Sequence, residues 1–154
     1  RIMKPSKRGI KRHETLIPLS RHHMVGLHVA LKLSRAGTEK SRLTLDEILR
    51  DARAFWQPGG QEHFREEEEI LLPAYAEYAD IHKQEIIEML LEHVTIRAGM
   101  NKLLGKEGIP LQDMQKLGKL LESHIRKEER VIFPMIENAL PEEKLRELAP
   151  YLHE

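Results

Sequence analysis

HFREEEEILLP, residues 63–73, and HIRKEERVIFP, residues 124–134, are two copies of one pattern. Five of the eleven positions are identical: the histidine, the arginine, two glutamates and the proline. Four more exchange one apolar residue for another. Each copy carries His-x-x-x-Glu. A spacing of four on an α-helix turns the side-chain direction by only about 40° and advances about 6 Å. His63 and Glu67 therefore point the same way, as do His124 and Glu128. Two such helices facing each other put two imidazoles and two carboxylates around one cavity. The rest of the run Glu66–Glu69 reads as a solvated face, because only Glu67 has the phase to point inward.

Around the repeat, helical signals dominate. Pro18 and Ser20 open a helix over about 18–36, closed by Gly37. Thr44 and Glu47 form a capping box for a second helix. Pro58-Gly59-Gly60 should break it before it resumes near Gln61 and runs to the Leu72–Pro73 region. Asp80 can cap a third helix, to about Gly105, and Pro110 a fourth, to about Leu140. A short last helix starts at Pro141 and ends before Pro150. No segment alternates long enough to read as a strand. The expected fold is all-α: an antiparallel up-down four-helix bundle with a short C-terminal helix. Residues 1–15 read as a basic, loosely held arm and 16–154 as the bundle domain.

The inward stripes carry chemistry where a core should be. The first helix offers Leu19, His23, Leu27, Ala30 and Leu31. The second offers His63, Glu67, Ile70 and Leu71, and the third Ile86, Met89, His93, Ile96, Met100 and Leu103. The fourth offers Leu117, Leu121, His124, Glu128, Val131 and Met135. A lone core histidine is usually a hydrogen-bonded structural residue. Four of them on four helices, with two carboxylates that are costly to bury unpaired, call for a cation. His23 and His93 complete a two-metal site with two terminal histidines per metal and two carboxylates able to bridge. His22 reads as a solvent-facing neighbour of His23, while His13, His82 and His153 read as exposed. The Glu-x-x-His spacing of ferritin-like di-iron bundles is absent, as is His-Glu-x-x-His.

Composition narrows the chemistry. The chain has 154 residues, enough for one domain. Its 25 basic and 25 acidic residues cancel, so no nucleic-acid or anionic-membrane partner is implied. No apolar run approaches the roughly 18 residues of a membrane span, and the expected compartment is the cytoplasm. There are nine histidines and no cysteine. Disulfides, thiolate metal sites and thiol nucleophiles are thereby excluded, and any metal must be held by nitrogen and oxygen. Such a donor set suits iron, with manganese or zinc as alternatives.

Four pieces of the chain resemble the hemerythrin-like (HHE cation-binding) family: LSRHHMVGL (19–27), HFREEE (63–68), EHVTIR (92–97) and HIRKEERVIFP (124–134). The resemblance spans roughly residues 16–140. It implies a bundle holding two non-haem iron ions bridged by oxygen. By this analogy His23 is the ligand of the first helix, because it shares a stripe with Leu19 and Leu27. His63 and Glu67 are a terminal and a bridging ligand, His124 and Glu128 repeat those roles, and His93 serves from the third helix. Oxygen-carrying members have a further histidine where this chain has Arg97, which is no ligand. The Pro58-Gly59-Gly60 break is also unusual for the family. The resemblance implies a small-molecule oxidant such as dioxygen as partner, in oxygen or redox sensing, storage or handling; no protein partner is named. The alternatives are a di-iron oxidoreductase acting on peroxide or nitric oxide, an iron-centre repair protein, and a metal-stabilised interaction module.

Overall fold

The structure, a computed structural model, describes residues 11–153. Residues 1–10 of the basic arm lie outside the described residues. The described residues are helical, without a strand. The first rod of the bundle is α1 (Ile17–Arg35), preceded by a 3-10 turn at Glu14–Leu16. The second is α2 (Leu45–Phe55), α3 (Gln61–Glu66) and α4 (Leu72–Tyr78), joined by π turns at Trp56–Gly60 and Glu67–Leu71. The third is α5 (Gln84–Leu103). The fourth is α6 (Leu111–Lys127) and α7 (Phe133–Ala139), joined by a π turn at Glu128–Ile132. The short α8 (Glu142–Leu148) follows. No helix among the described residues is long and apolar enough to cross a membrane.

The capping box is present: Thr44 Oγ1 accepts from the Glu47 N–H, and Glu47 Oε1 from the Thr44 N–H. The break also falls where expected, with Gln57 out of helical conformation (φ −117°, ψ 110°). Two expectations are corrected. Asp80 does not cap the third rod; it accepts from the His82 N–H at 2.9 Å, and α5 starts at Gln84. Pro73 does not end the second rod, which continues to Tyr78.

The reason is the π turn just before each repeat proline. The Leu72 N–H reaches back to the Glu67 carbonyl, and the Phe133 N–H to the Glu128 carbonyl. Proline lacks an N–H and its ring crowds the carbonyl four residues earlier. The wider turn relieves that crowding and lets the helix run on. The extra residue also rotates the inward stripe by about 100°. Ile132 and Ile136 are buried in place of Val131, which is exposed, and Met135, which is half-buried. On α1, Leu31 is exposed, while Val29 and Leu33 are buried.

The rods pack antiparallel. Ser34 of α1 lies by Gly118, Gly26 by Ile125 and Ser20 by Glu129, so one number rises as the other falls. Gly118 permits the closest approach. A Cβ there would lie 2.5 Å from the Ser34 nitrogen and 2.6 Å from the Ala30 carbonyl oxygen. Backbone atoms cannot swing aside, so Gly118→Ala must push α1 from α6. We expect a loss of about 1–3 kcal/mol, read as a melting midpoint lower by about 2–4 °C per kcal/mol. An unchanged midpoint would contradict this packing.

The apolar core is divided in two. One half includes Val29, Leu33, Phe55, Trp56, Ile96 and Leu121, and the other Leu16, Leu19, Leu71, Met89, Ile132 and Phe133. Between them, at mid-length on every rod, lies a layer of polar side chains.

Candidate metal centre

That layer contains His23, His63, Glu67, His93, His124 and Glu128, all buried, the two glutamates completely (0% exposed). All six residues singled out in the sequence are therefore in one place. His23 comes from α1, His63 from α3, His93 from α5 and His124 from α6. Glu67 and Glu128 each open a π turn, one helical turn after His63 and His124.

The donors form two groups. Atoms of His23, His63, Glu67 and Glu128 lie within 4.8 Å of one another, and so do atoms of Glu67, His93, His124 and Glu128. Both carboxylates belong to both groups. Glu128 Oε1 is 2.9 Å from His23 Nε2, while its Oε2 is 3.0 Å from His93 Nε2 and 2.9 Å from His124 Nε2. Glu67 Oε2 is 2.6 Å from His63 Nε2, while its Oε1 is 3.1 Å from His93 Nε2. Each carboxylate thus turns one oxygen to each pair of imidazoles.

Two of these close approaches fail as hydrogen bonds. Glu67 Oε1 and His124 Nε2 are buried with no hydrogen-bond partner, although His93 Nε2 and Glu128 Oε2 lie near them. Buried polar atoms left this way carry a desolvation penalty of about 1–3 kcal/mol each. Both residues belong to the four-donor group of Glu67, His93, His124 and Glu128, where a common cation would satisfy them. The residues present fit a metal: nitrogen and carboxylate oxygen only, and four donors to each group.

The electrostatics agree. Burial alone would lower the pKa of His23, yet hydrogen bonds to Glu128 and Glu129 and the nearby Glu67 carboxylate raise it well above the usual imidazole range. Burial works equally against His93, which the carboxylates of Glu128, Glu67 and Glu68 push up to about 11. Burial of Glu128 would raise its pKa, but the charge of His124 and the surrounding imidazole hydrogen bonds hold it well below the carboxylate range. Protons on the imidazoles thus offset the carboxylate charge where a cation would otherwise do so.

A second ring of residues holds the outer nitrogens. His23 Nδ1 donates to Glu129 Oε2 (2.6 Å), His93 Nδ1 to Glu68 Oε2 (2.6 Å) and His124 Nδ1 to Glu92 Oε1 (2.7 Å). Each of these carboxylates is itself fixed by a cationic side chain. Arg12 holds Glu129 (3.1 Å), Arg97 grips both oxygens of Glu68 (2.9 and 3.0 Å) and Lys127 holds Glu92 (2.9 Å). Such partners lock the ring orientation and raise the basicity of the nitrogen facing the metal. Arg97 therefore has a task, though not as a donor. His22 is corrected: it does not face solvent freely but lies half-buried with its Nδ1 3.0 Å from His63 Nδ1. His13 is likewise half-buried, bonded to Glu142, whereas His82 and His153 are exposed.

Aromatic rings close the layer. Phe64 stacks on His93 at 3.9 Å between centroids and Phe133 on His23 at 5.2 Å. The pocket opening on the layer, beside His22, His23 and His63, measures about 10 Å³. A groove of about 340 Å³ around Gly99 and Lys116 does not include these residues.

Residues 19–136 match the model of a protein family described as the Hemerythrin HHE cation binding domain. No curated protein and no solved structure matches the chain.

Proposed function

The chain belongs to the hemerythrin HHE cation-binding domain family, and from that premise we propose that it holds two iron ions and uses them to bind dioxygen or a related small oxidant. The observation that carries this reading is that two four-donor groups share both of their carboxylates. Two positions, each with two imidazoles of its own, match a pair of cations better than a single one.

The chain's own residues divide the work. His23 and His63 would hold one cation, and His93 and His124 the other. Glu67 and Glu128, shared by both donor groups, would serve both cations and offset their charge. Glu129, Glu68 and Glu92 keep three imidazoles turned with Nε2 inward. Phe64, Phe133 and the apolar layers on either side exclude bulk water, which strengthens every electrostatic interaction inside. An iron pair bound there would supply a reversible two-electron couple to a small molecule. The pocket has room for about one water-sized molecule, and this favours a diatomic ligand over an organic substrate.

Anaerobic loading with ferrous iron followed by air tests the reading. We expect two irons per chain, uptake of oxygen and new absorption from a ferric imidazole–carboxylate centre. Retained iron with no oxygen consumed would sink the oxidant role, and failure to retain iron would sink the iron assignment.

A further inference from the structure

The repeat extends beyond its own two segments. In the first copy, the second of the two shared glutamates, Glu68, holds the outer nitrogen of His93. In the second copy, the second glutamate, Glu129, holds the outer nitrogen of His23. The two copies thus exchange partners with the two unrepeated histidines in matching fashion. The match predicts the remaining pair. Glu92, immediately before His93, holds the outer nitrogen of His124. The residue in the equivalent place, immediately before His23, does face the outer nitrogen of His63, but it is His22. One residue breaks the internal symmetry of the layer.

The break changes the chemistry of one position. With Nε2 of His63 turned on a cation, its proton sits on Nδ1, so His63 donates and His22 Nδ1 accepts. An accepting imidazole has a free lone pair and therefore no positive charge, but also no negative one. The other three imidazoles each donate to a carboxylate, which strengthens them as donors to metal. His63 lacks that support. The local fold accommodates His22 in this role. Its ring stacks on Phe55 at 5.0 Å, and Gly59, from the Pro58–Gly60 break, lies where a Cβ would come within 3.2 Å of His22 Nε2.

We propose that His22 is a positioning residue that makes the two cation positions unequal, so that the His93/His124 position fills first and the His23/His63 position is the weaker, more labile one. This rests on the reading that the layer holds two cations. Replacing an outer partner changes metal affinity by about 10–100-fold, and the gap between the two steps is expected to be on that order.

Zn2+ is a suitable probe, being diamagnetic and suited to imidazole and carboxylate donors. Stepwise addition to 15N-labelled full chain, read by imidazole 1H–15N spectra, should shift His93 and His124 during the first equivalent. His23 and His63 should follow during the second. Calorimetry should show the weaker step tightening in His22→Glu, which restores the matching carboxylate. Glu92→Gln should instead weaken the tighter step by about 10-fold while leaving the other alone. The inference is overturned if all four histidines respond together, if His23 and His63 respond first, or if His22→Glu folds and leaves the gap unchanged. Should His22→Glu fail to fold, the filling order in the unaltered chain and the Glu92→Gln result decide. Binding of fewer than two Zn2+ per chain would overturn the two-cation reading itself, and this inference with it.

Discussion

Glu128→Ala should empty both cation positions, a larger loss than the removal of any one histidine. One carboxylate stands within 2.9–3.0 Å of three imidazoles, His23, His93 and His124, and contributes an oxygen to each four-donor group. Without it, each position drops to three protein donors and loses its share of negative charge. Metal content should fall from two per chain toward none. His63→Ala and His124→Ala each remove a donor from a single group, so each should cut the content by about one. His82→Ala is the control, since His82 is exposed and bonded only to Asp80. Metal analysis of protein purified without chelating resin or chelator gives the comparison. Removing one partner from a buried charge network costs about 3–5 kcal/mol, so circular dichroism must accompany each measurement. A folded Glu128→Ala protein that keeps two metals would refute the shared-carboxylate arrangement, as would equal retention across all the histidine variants.

The six central residues were legible in the sequence because a helix converts spacing into direction. The rods were legible too, the first, second and fourth from their starts at Pro18, Thr44 and Pro110, whereas the third starts at Gln84 and not at Asp80. What escaped the reading lies one residue away from what did not. Glu68 follows Glu67, Glu129 follows Glu128, Glu92 precedes His93 and His22 precedes His23. One step on a helix turns about 100°, which aims the neighbour off the inward stripe and across to the next rod. Period alone assigns such a residue to a solvated face. The repeat nevertheless contained a signal: its second glutamate is identical in both copies, and a solvated face gives no reason for that identity. Its proline is identical too and marks the π turn that moved the stripe from Val131 to Ile132. In the sequence, Arg97 stands only where a further ligand is missing. Its partner Glu68 lies 29 positions away on another rod, and no local pattern connects them.

Removing the metal should destabilise the protein far more at alkaline than at acid pH. In the absence of a cation the layer is held by protonated imidazoles against carboxylates. Burial lowers the pKa of His124, but the charge of Glu128 close to its Nε2 and the hydrogen bond to Glu92 bring it up to about 9. His93 stands at about 11. A raised imidazole contributes stability that is complete below its ordinary value of 6.5 and is lost as pH climbs through about 9 to 11. Burial and the charge of Glu128 raise Glu67, yet the charge of His63, the nearby His23 imidazole and the hydrogen bond from His63 bring it down to about 2. That contribution is complete above 4.5 and is lost as pH falls toward 2. The chelated protein should therefore be most stable between pH 4.5 and 6.5 and weaken above. A cation requires the same nitrogens deprotonated, so its affinity rises over the window in which the protons leave. At a free concentration about 1,000 times its dissociation constant, one bound ion adds about 4 kcal/mol. For a domain of this size that is roughly 8–16 °C in melting midpoint. Melting curves with and without chelator should separate widely near pH ~8.5 and approach one another near pH ~6, and Zn2+ addition near pH ~7 should acidify a weakly buffered solution. Equal separation at both values, or loading without proton release, would mean that cation and protons do not compete for these imidazoles.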